Sequence, residues 1–596
     1  MFLATTNIEE FWDKTDKLLF LSEACKMYDR KNVWSKLDHA DAPAFWNDCT
    51  TVETALSYCT ETYEDALVAL TAKLNELHAI DMDVRYYRLI LGPWLLYFIH
   101  QTYAKYYSLR QIKNTVPNIK TFTLDEQQYY TPLDYVDYLA KSADADQYAL
   151  QIYSELAEQM GFVFEKRKLT APLSQVSRYK INSGPKDVAY ITLAKVTGQL
   201  NRLFSKKSIT ITEPYFLYNR TSNYLKLYLS APFLYIFDEM RYPIDITFEL
   251  DKKVRADTQL NLSGDEFRQI LSRLLIRELP VIYLEGFDKF RAEVASCGIR
   301  KTDIFYTANA LSGNNNIARF FTAGNKRTTK ILIHQHGGTF GTDKIHATEE
   351  SEIASADVYF TWGWEQSFKT KYLPHPNLNK KMPRRHQGNP LKTILTRTAT
   401  PRHLRLFHFS PNPSTFAAQY LQDTVLFLKT ISRNIHVTIR DLAITHGGYG
   451  WMERQRLSDM AGDASFTFDT LANDFGYTLA RNDIYVSDHI STTYLEALAQ
   501  NKPTIVFVNK KVCCFREMAL PFFAQLEKAK ILHYSPVSAA EHLNSLRGAA
   551  LDEWWFSKAV QDARRAFIHE HARADAFWEK TWTSKFLNLL QMPDTR

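Results

Sequence analysis

The period of the apolar positions changes several times along this chain, and each change predicts an element. Lys17-Leu18-Leu19-Phe20-Leu21 is a short apolar run after a charged segment and predicts a first buried strand. From Ala55 and Leu56 through Cys59, Ala66, Leu67, Leu70, Leu74 and Leu77, apolar residues recur at three and four positions, which predicts a helical insertion over about 51–115. Between about 120 and 300 the pattern weakens. Tyr215 to Tyr218 and Leu229 to Phe237 read as aromatic strands, and Asp265 to Leu284 as an amphipathic helix. Lys301 to Thr307 then predicts a strand, Ile317 to Ala323 a helix, and Lys330-Ile331-Leu332-Ile333-His334 a second buried strand. Strand, helix, strand in that order is a parallel βαβ unit.

After Pro374 the pattern breaks. Lys380-Lys381-Met382-Pro383-Arg384-Arg385-His386 through Arg402-His403 is basic, proline-bearing and without apolar periodicity, so 381–403 is expected to be an exposed linker. Leu404 to Ser410 predicts the first strand of a second α/β domain, followed by a helix from about Ala417 to Arg433. Further strands are expected at His436–Arg440, Asp483–Val486 and Thr504–Val508. From Glu541 onward the pattern is helical. The expected division is an N-terminal α/β domain over 1–380, the linker, a second α/β domain over 404–545 and C-terminal helices over 546–596.

Composition narrows the class. A chain of 596 residues is too long for one core and calls for at least two large domains. Hydrophobic content of 45% and charged content of 23% are ordinary for a globular chain, and the 14% of aromatic residues serves packing as readily as ligand stacking. A net charge of +6 is only mildly basic for this length, and no nucleic-acid partner is expected from it. The six cysteines show no CxxC spacing, and adjacent Cys513-Cys514 suit two ordinary staples poorly, so a reducing cytoplasm is expected. The N-terminus carries no basic segment ahead of an apolar run, and Leu89 to Ile99 is far shorter than the ~20 residues of a spanning helix. Membrane contact is expected to be peripheral.

Candidate chemistry collects at two strand ends. The Lys330 strand stops in Gln335-His336-Gly337-Gly338, and loops leaving the carboxyl edge of a parallel sheet are where α/β folds place ligands. His336 sits at the loop boundary, where it can meet substrate, and Gly337-Gly338 lets a ligand approach the backbone. Glu349 and Glu352, three apart, share a helix face, and carboxylates beside an imidazole supply a base, a nucleophile or an orienting partner. At the second strand end, Ser491-Thr492-Thr493 opens a helix, where hydroxyls, free N–H groups and the helix dipole favour an anion; Glu496 follows one turn on. Arg440, at another strand end, is a candidate charge partner. His334, His336, His346 and Asp357 permit a rival reading as the metal site of a hydrolase, although no HExxH or cysteine-rich spacing accompanies them. No P-loop or GxGxxG follows a strand, which weighs against an ATPase or a nicotinamide enzyme.

Taken in order, Phe2-Leu3-Ala4-Thr5-Thr6, Leu91-Gly92-Pro93-Trp94, Gln335-His336-Gly337-Gly338, Glu349 with Glu352 and Asp357, Thr361-Trp362-Gly363-Trp364, and Ser491-Thr492-Thr493 with Leu495-Glu496 resemble a transferase family encoded among O-antigen and surface-polysaccharide genes of bacteria. The resemblance spans nearly the whole chain. It implies a GT-B glycosyltransferase, with two Rossmann-like domains facing a cleft and the nucleotide held mainly by the C-terminal one. More distantly the chain is similar to enzymes that use CMP-activated 3-deoxy-ulosonic acids such as Kdo. Three positions depart from the family pattern: Ser22-Glu23-Ala24-Cys25 stands in place of Gly-Glu-Trp-Cys, and Ser351 in place of a histidine.

The resulting expectation is a metal-independent cytoplasmic enzyme without cofactor, any membrane contact being peripheral and at the cytoplasmic face of the inner membrane. It moves a sugar from a nucleotide-activated donor to a surface polysaccharide or lipid-linked glycan. His336, Glu349 and Glu352 are expected to be catalytic, with Gly337, Gly338, Arg440, Ser491, Thr492, Thr493 and Glu496 binding the donor. A glycan-binding protein that keeps the fold without turnover is the non-enzymatic alternative.

Overall fold

The computed structural model describes residues 1–378, 391–398, 401–407, 414–441, 451–511 and 513–591. It is an α/β protein built on three parallel sheets, where the apolar pattern predicts two. The first holds β1 (Phe2–Ala4), β2 (Leu18–Phe20), β3 (His39–Asp41), β4 (Lys120–Leu124) and β5 (Val163–Arg167), in the order β3-β2-β1-β4-β5. Its edge strand β5 is exposed or half-buried at every position, which is why this sheet leaves a weak trace in the apolar pattern. The helices Cys49–His78 and Val84–Thr115 lie between β3 and β4, in the span expected to be helical. Asp48 and Asp83 cap them, accepting from the backbone N–H of Thr51 and Tyr86.

A short antiparallel ribbon of β6 (Arg178–Ile181) and β9 (Ile244–Thr247) leads to the second sheet. That sheet comprises β7 (Ile209–Thr212), β8 (Tyr235–Phe237), β10 (Ile304–Thr307), β11 (Lys330–His334), β12 (Val358–Thr361) and β13 (Thr370–Tyr372), ordered β13-β12-β11-β10-β7-β8. The expected βαβ unit is present as β10, the Asn316–Asn325 helix and β11, with Ile304 paired to Lys330 and Thr307 to Ile333. Two expected strands differ. Tyr215 to Tyr218 is a loop with Tyr215 in the left-handed region at φ 59°, and most of Leu229–Phe237 follows the Arg220–Ser230 helix, leaving only Tyr235–Phe237 as strand. The Asp265 helix spans Glu266–Arg277 and gives way to a 3₁₀ turn at Val281–Tyr283.

The third sheet holds β14 (Lys392–Arg397), β15 (His436–Asp441), β16 (Phe466–Phe468), β17 (Ile484–Ser487), β18 (Thr504–Phe507) and β19 (Leu532–His533), ordered β16-β15-β14-β17-β18-β19. This corrects the expected linker over 381–403. Residues 381–390 and 399–400 lie outside the described residues, but 392–397 form a central strand buried at every position after Lys392. The basic end of that strand misleads because Arg397 is buried among Asp488 and Glu453, each at 3.3 Å, and Asp441 at 3.7 Å. Residues 404–407, expected to open the second domain, are not a strand; Leu404, Leu406 and Phe407 pack into the N-terminal core, with the Phe407 ring 4.7 Å from that of Trp46. The expected strand residues 408–410 lie outside the described residues.

The C-terminal helices do not stand apart. Lys558–His571 packs on the third sheet's helices, and Trp578–Gln591 crosses back to the second sheet, where Trp582 and Phe586 meet Tyr306. One disulfide, Cys49–Cys514, joins the start of a first-sheet helix to the loop after β18. Of the adjacent pair Cys514 is bonded and Cys513 is free, and cysteine spacing no longer argues for a reducing compartment. Among the described residues no helix is long and apolar enough to cross a membrane.

Candidate functional site

The second and third sheets meet through loops at the carboxyl ends of β11 and β17. The Gly337-Gly338 turn after β11 lies on the Ser491-Thr492 turn after β17, and a Cβ on Gly338 would overlap the Ser491 carbonyl. In the third sheet, β14 and β17 are neighbours at the point where the strand order reverses, the position at which α/β sheets open a ligand crevice.

The β11 turn is shaped by Gln335, which carries no role in the sequence reading. Its Oε1 accepts from Trp362 N–H at 3.0 Å and Trp364 Nε1–H at 2.9 Å, while its Nε2 donates to the Gly337 carbonyl at 2.8 Å. The Thr-Trp-Gly-Trp segment thus serves as the anvil of the turn. Gln335 and the buried Trp362 and Trp364 hold the backbone so that His336 leaves it towards a cavity.

That cavity, of about 300 Å³, runs between the Val84–Thr115 helix of the first unit, the β10–helix loop and the Ala347–Ser355 helix. His336 and Glu352 both line it. Nδ1 of His336 lies 3.7 Å from Oε1 of Glu352, and neither atom has a hydrogen bond. Glu352 is nearly enclosed, and Oε2 accepts from the Tyr359 hydroxyl at 3.1 Å. Burial raises the Glu352 carboxyl to about 8, against the opposing hydrogen bonds from Ser312 and Tyr359. Burial lowers His336 to about 4, with 22% of its side chain still exposed. At neutral pH the carboxyl holds the proton and the imidazole is free, an arrangement able to donate from one group and accept at the other.

Glu349 occupies a different place. It is buried, paired with Arg516 at 2.8 Å, and accepts from Gly341 N–H at 2.6 Å, and it does not line the cavity. Burial raises its carboxyl and Arg516 opposes the rise. Arg516 also donates to the Asp343 carbonyl and to Gln366, so one guanidinium ties the β11 turn to the loop after β18. Nothing in the apolar pattern singles out Arg516.

The residues of the metal reading are engaged separately. His334 bonds Tyr306 and the Leu373 carbonyl, His346 bonds Thr339 and caps its own helix at Glu349 N–H, and Asp357 takes Ile331 N–H and Arg85. Among the described residues no three His, Cys, Asp or Glu side chains gather as a metal site.

On the third sheet, Ser491 stands at the N-cap of the Thr492–Ala499 helix without a side-chain cap bond; its hydroxyl lies 3.0 Å from that of Thr493. Thr493 in turn accepts from Tyr485 at 2.8 Å. Glu496 does not close a capping box. It is buried, accepts from the Tyr218 hydroxyl at 3.1 Å, and burial raises it to about 8. Tyr218 comes from the loop after β7, which carries left-handed Glu213, Tyr215 and Asn219. Arg440 is bound by Asp469, by Thr478 at 3.2 Å and by the Asn473 carbonyl at 3.0 Å, and β14 separates its strand from β17. The structure therefore brings His336 to Glu352 and Gly338 to Ser491 and Thr492, and leaves Glu349 and Arg440 with partners of their own.

Among solved structures, the chain is similar to the apo form of the lipopolysaccharide outer core galactosyltransferase WaaB at 11% identity, covering 64% of this chain and 100% of that one with a TM-score of 0.33. It is similar to MurG of Acinetobacter baumannii at 10% identity over 65% and 99% of the two chains, TM-score 0.32. A third likeness is to Anabaena Alr3699/HepE in complex with UDP-glucose, at 10% identity over 64% and 99%, TM-score 0.36. No curated protein matches the chain. Residues 1–586 match the LIC12162 family transferase description, and the chain belongs to that family of transferases.

Proposed function

We propose that this transferase is a glycosyltransferase of the GT-B kind, moving a sugar from a nucleotide-activated donor to a glycan acceptor across the junction of its second and third sheets. The observation that carries the reading is the contact of Gly338 with Ser491, which brings the turn that carries His336 against a helix start suited to phosphate. Ser491, Thr492 and Thr493 bind the donor phosphate through hydroxyls and N-terminal N–H groups, doing electrostatically what a cation does in metal-dependent transfer. Glu496 binds the ribose or base once Tyr218 withdraws. Arg440 reaches the donor only by leaving Asp469, so its contribution is secondary. His336 faces the reacting sugar with Gly337 and Gly338 at its side; Glu352 holds or moves the proton, and Glu349 keeps the turn in place.

The family resemblance supports a surface polysaccharide or lipid-linked glycan as acceptor and a site at the cytoplasmic face of the inner membrane. A CMP-ulosonic acid such as CMP-Kdo is the donor that the more distant resemblance favours. A thermal-shift panel of CMP, UDP, GDP and CDP tests the reading, because a ligand that binds only the folded chain raises its Tm by mass action. A response to one nucleotide that Ser491→Ala weakens supports it. No response to any of the four, with His336→Ala leaving transfer intact, overturns it.

A further inference from the structure

The cavity beneath His336 differs from an ordinary sugar site in what lines it. Leu89, Pro93 and Leu96 come from the Val84–Thr115 helix, which belongs to the first sheet's unit and lies outside the two sheets that meet at Gly338 and Ser491. Leu311 and Phe340 face them from the β10 and β11 loops. Leu89, Leu96, Leu311 and Phe340 are all buried. Thr348 and Ser351 on the Ala347–Ser355 helix bring hydroxyls, Arg88 and Tyr97 bring polar groups from the same helix as the apolar side chains, and Glu352 carries the unbonded Oε1.

We propose that this cavity seats one pyranose through a methyl-bearing substituent, an acetamido or a 6-deoxy methyl, placed against the Leu89–Pro93–Leu96 wall. The first unit is thereby a specificity element of the transferase. The proposal rests on the glycosyltransferase reading and adds the substrate class. An unsubstituted hexopyranose turns a hydroxyl outward on nearly every carbon, and a hydroxyl pressed on that wall loses water without gaining a partner. A methyl there loses nothing polar and removes apolar surface from water. Thr348, Ser351 and the His336–Glu352 pair remain to meet the polar edge of the ring. The volume, about 300 Å³, lies at the small end of ligand cavities and suits a single sugar unit rather than a complete nucleotide donor.

Saturation-transfer NMR on the full chain, with N-acetyl-D-glucosamine, L-fucose and D-glucose as probes, tests this. The expected result is saturation strongest on the methyl protons of one or both of the first two, with D-glucose giving at least fivefold less. The two arms tell an acetamido from a deoxy methyl. Leu96→Trp, which fills the cavity from the apolar wall, is expected to abolish the methyl signal, and Ser351→Phe, on the half-buried opposite side, gives a second filling variant should the first fail to fold. Equal saturation of all three sugars, absence of saturation, or a methyl signal that survives a folded filling variant overturns the proposal. The nucleotide panel is run on the same samples. Nucleotide binding without methyl selectivity removes this inference alone, whereas methyl selectivity without any nucleotide response removes the glycosyltransferase reading and leaves the cavity's preference standing.

Discussion

His336 and Glu352 face each other across 3.7 Å, and burial displaces them in opposite directions, the imidazole down to about 4 and the carboxyl up to about 8. The pair is thus net neutral at pH 7 with its proton on the carboxyl. Transfer is expected to fall as pH rises through about 8, where Glu352 loses that proton. Glu352→Gln is expected to lower the rate by about 10²–10⁴-fold and to erase the alkaline limb, read from a pH–rate profile. A profile unchanged in shape in the variant removes Glu352 from proton transfer.

The same shifts set the pH dependence of stability. Glu352 is raised on folding, so its contribution is fully present below its unfolded value of about 4.3 and is lost as pH rises through about 8. His336 is lowered, so its contribution is present above about 6.5 and is lost as pH falls through about 4. Denaturant midpoints at pH 5 and pH 8 are expected to differ less in Glu352→Gln than in the parent chain.

Arg516 and Glu349 form a buried pair, and removing one partner strands the other's charge. Arg516→Leu is expected to cost about 3–5 kcal/mol, measured by urea unfolding, and Glu349→Gln in the same chain is expected to recover part of it. If the single variant costs less than ~1 kcal/mol, the pair does not hold the β11 turn.

The Cys49–Cys514 bond predicts a thiol count. Cys25, Cys59, Cys297 and Cys513 are free. Unfolded chain without reductant is expected to show these four thiols, and all six cysteines after reduction. Cys49→Ser is expected to lower stability by about 2–4 kcal/mol. Six reactive thiols in the unreduced chain would sink the assignment.

Gly338→Ala presses a methyl onto the Ser491 carbonyl, so the two turns must part. Transfer is expected to drop at least tenfold with the far-UV spectrum unchanged. Ser491→Ala, by contrast, loses no cap bond and is expected to cost less than the ~1 kcal/mol typical of an N-cap, while shrinking the nucleotide-induced rise in Tm.

Several of these elements are legible in the chain itself. The apolar run of β11, its stop at Gln335-His336-Gly337-Gly338, the helical spacing after Cys49 and the hydroxyl-rich turn after β17 are local signals, since period, breaker residues and capping side chains act within a few residues of one another. They determine an α/β chain with ligand chemistry at two strand ends. What they leave undetermined depends on partners far away in sequence. Arg397 reads as part of a basic linker until Asp441, Glu453 and Asp488 converge on it and make β14 a central strand. Glu349 and Glu352, three apart on one helix, look equivalent until Arg516 takes one and the cavity takes the other. Which carboxyl keeps a proton, and which glycine touches the opposite sheet, depend on burial and on a distant loop, and only the tertiary structure decided them.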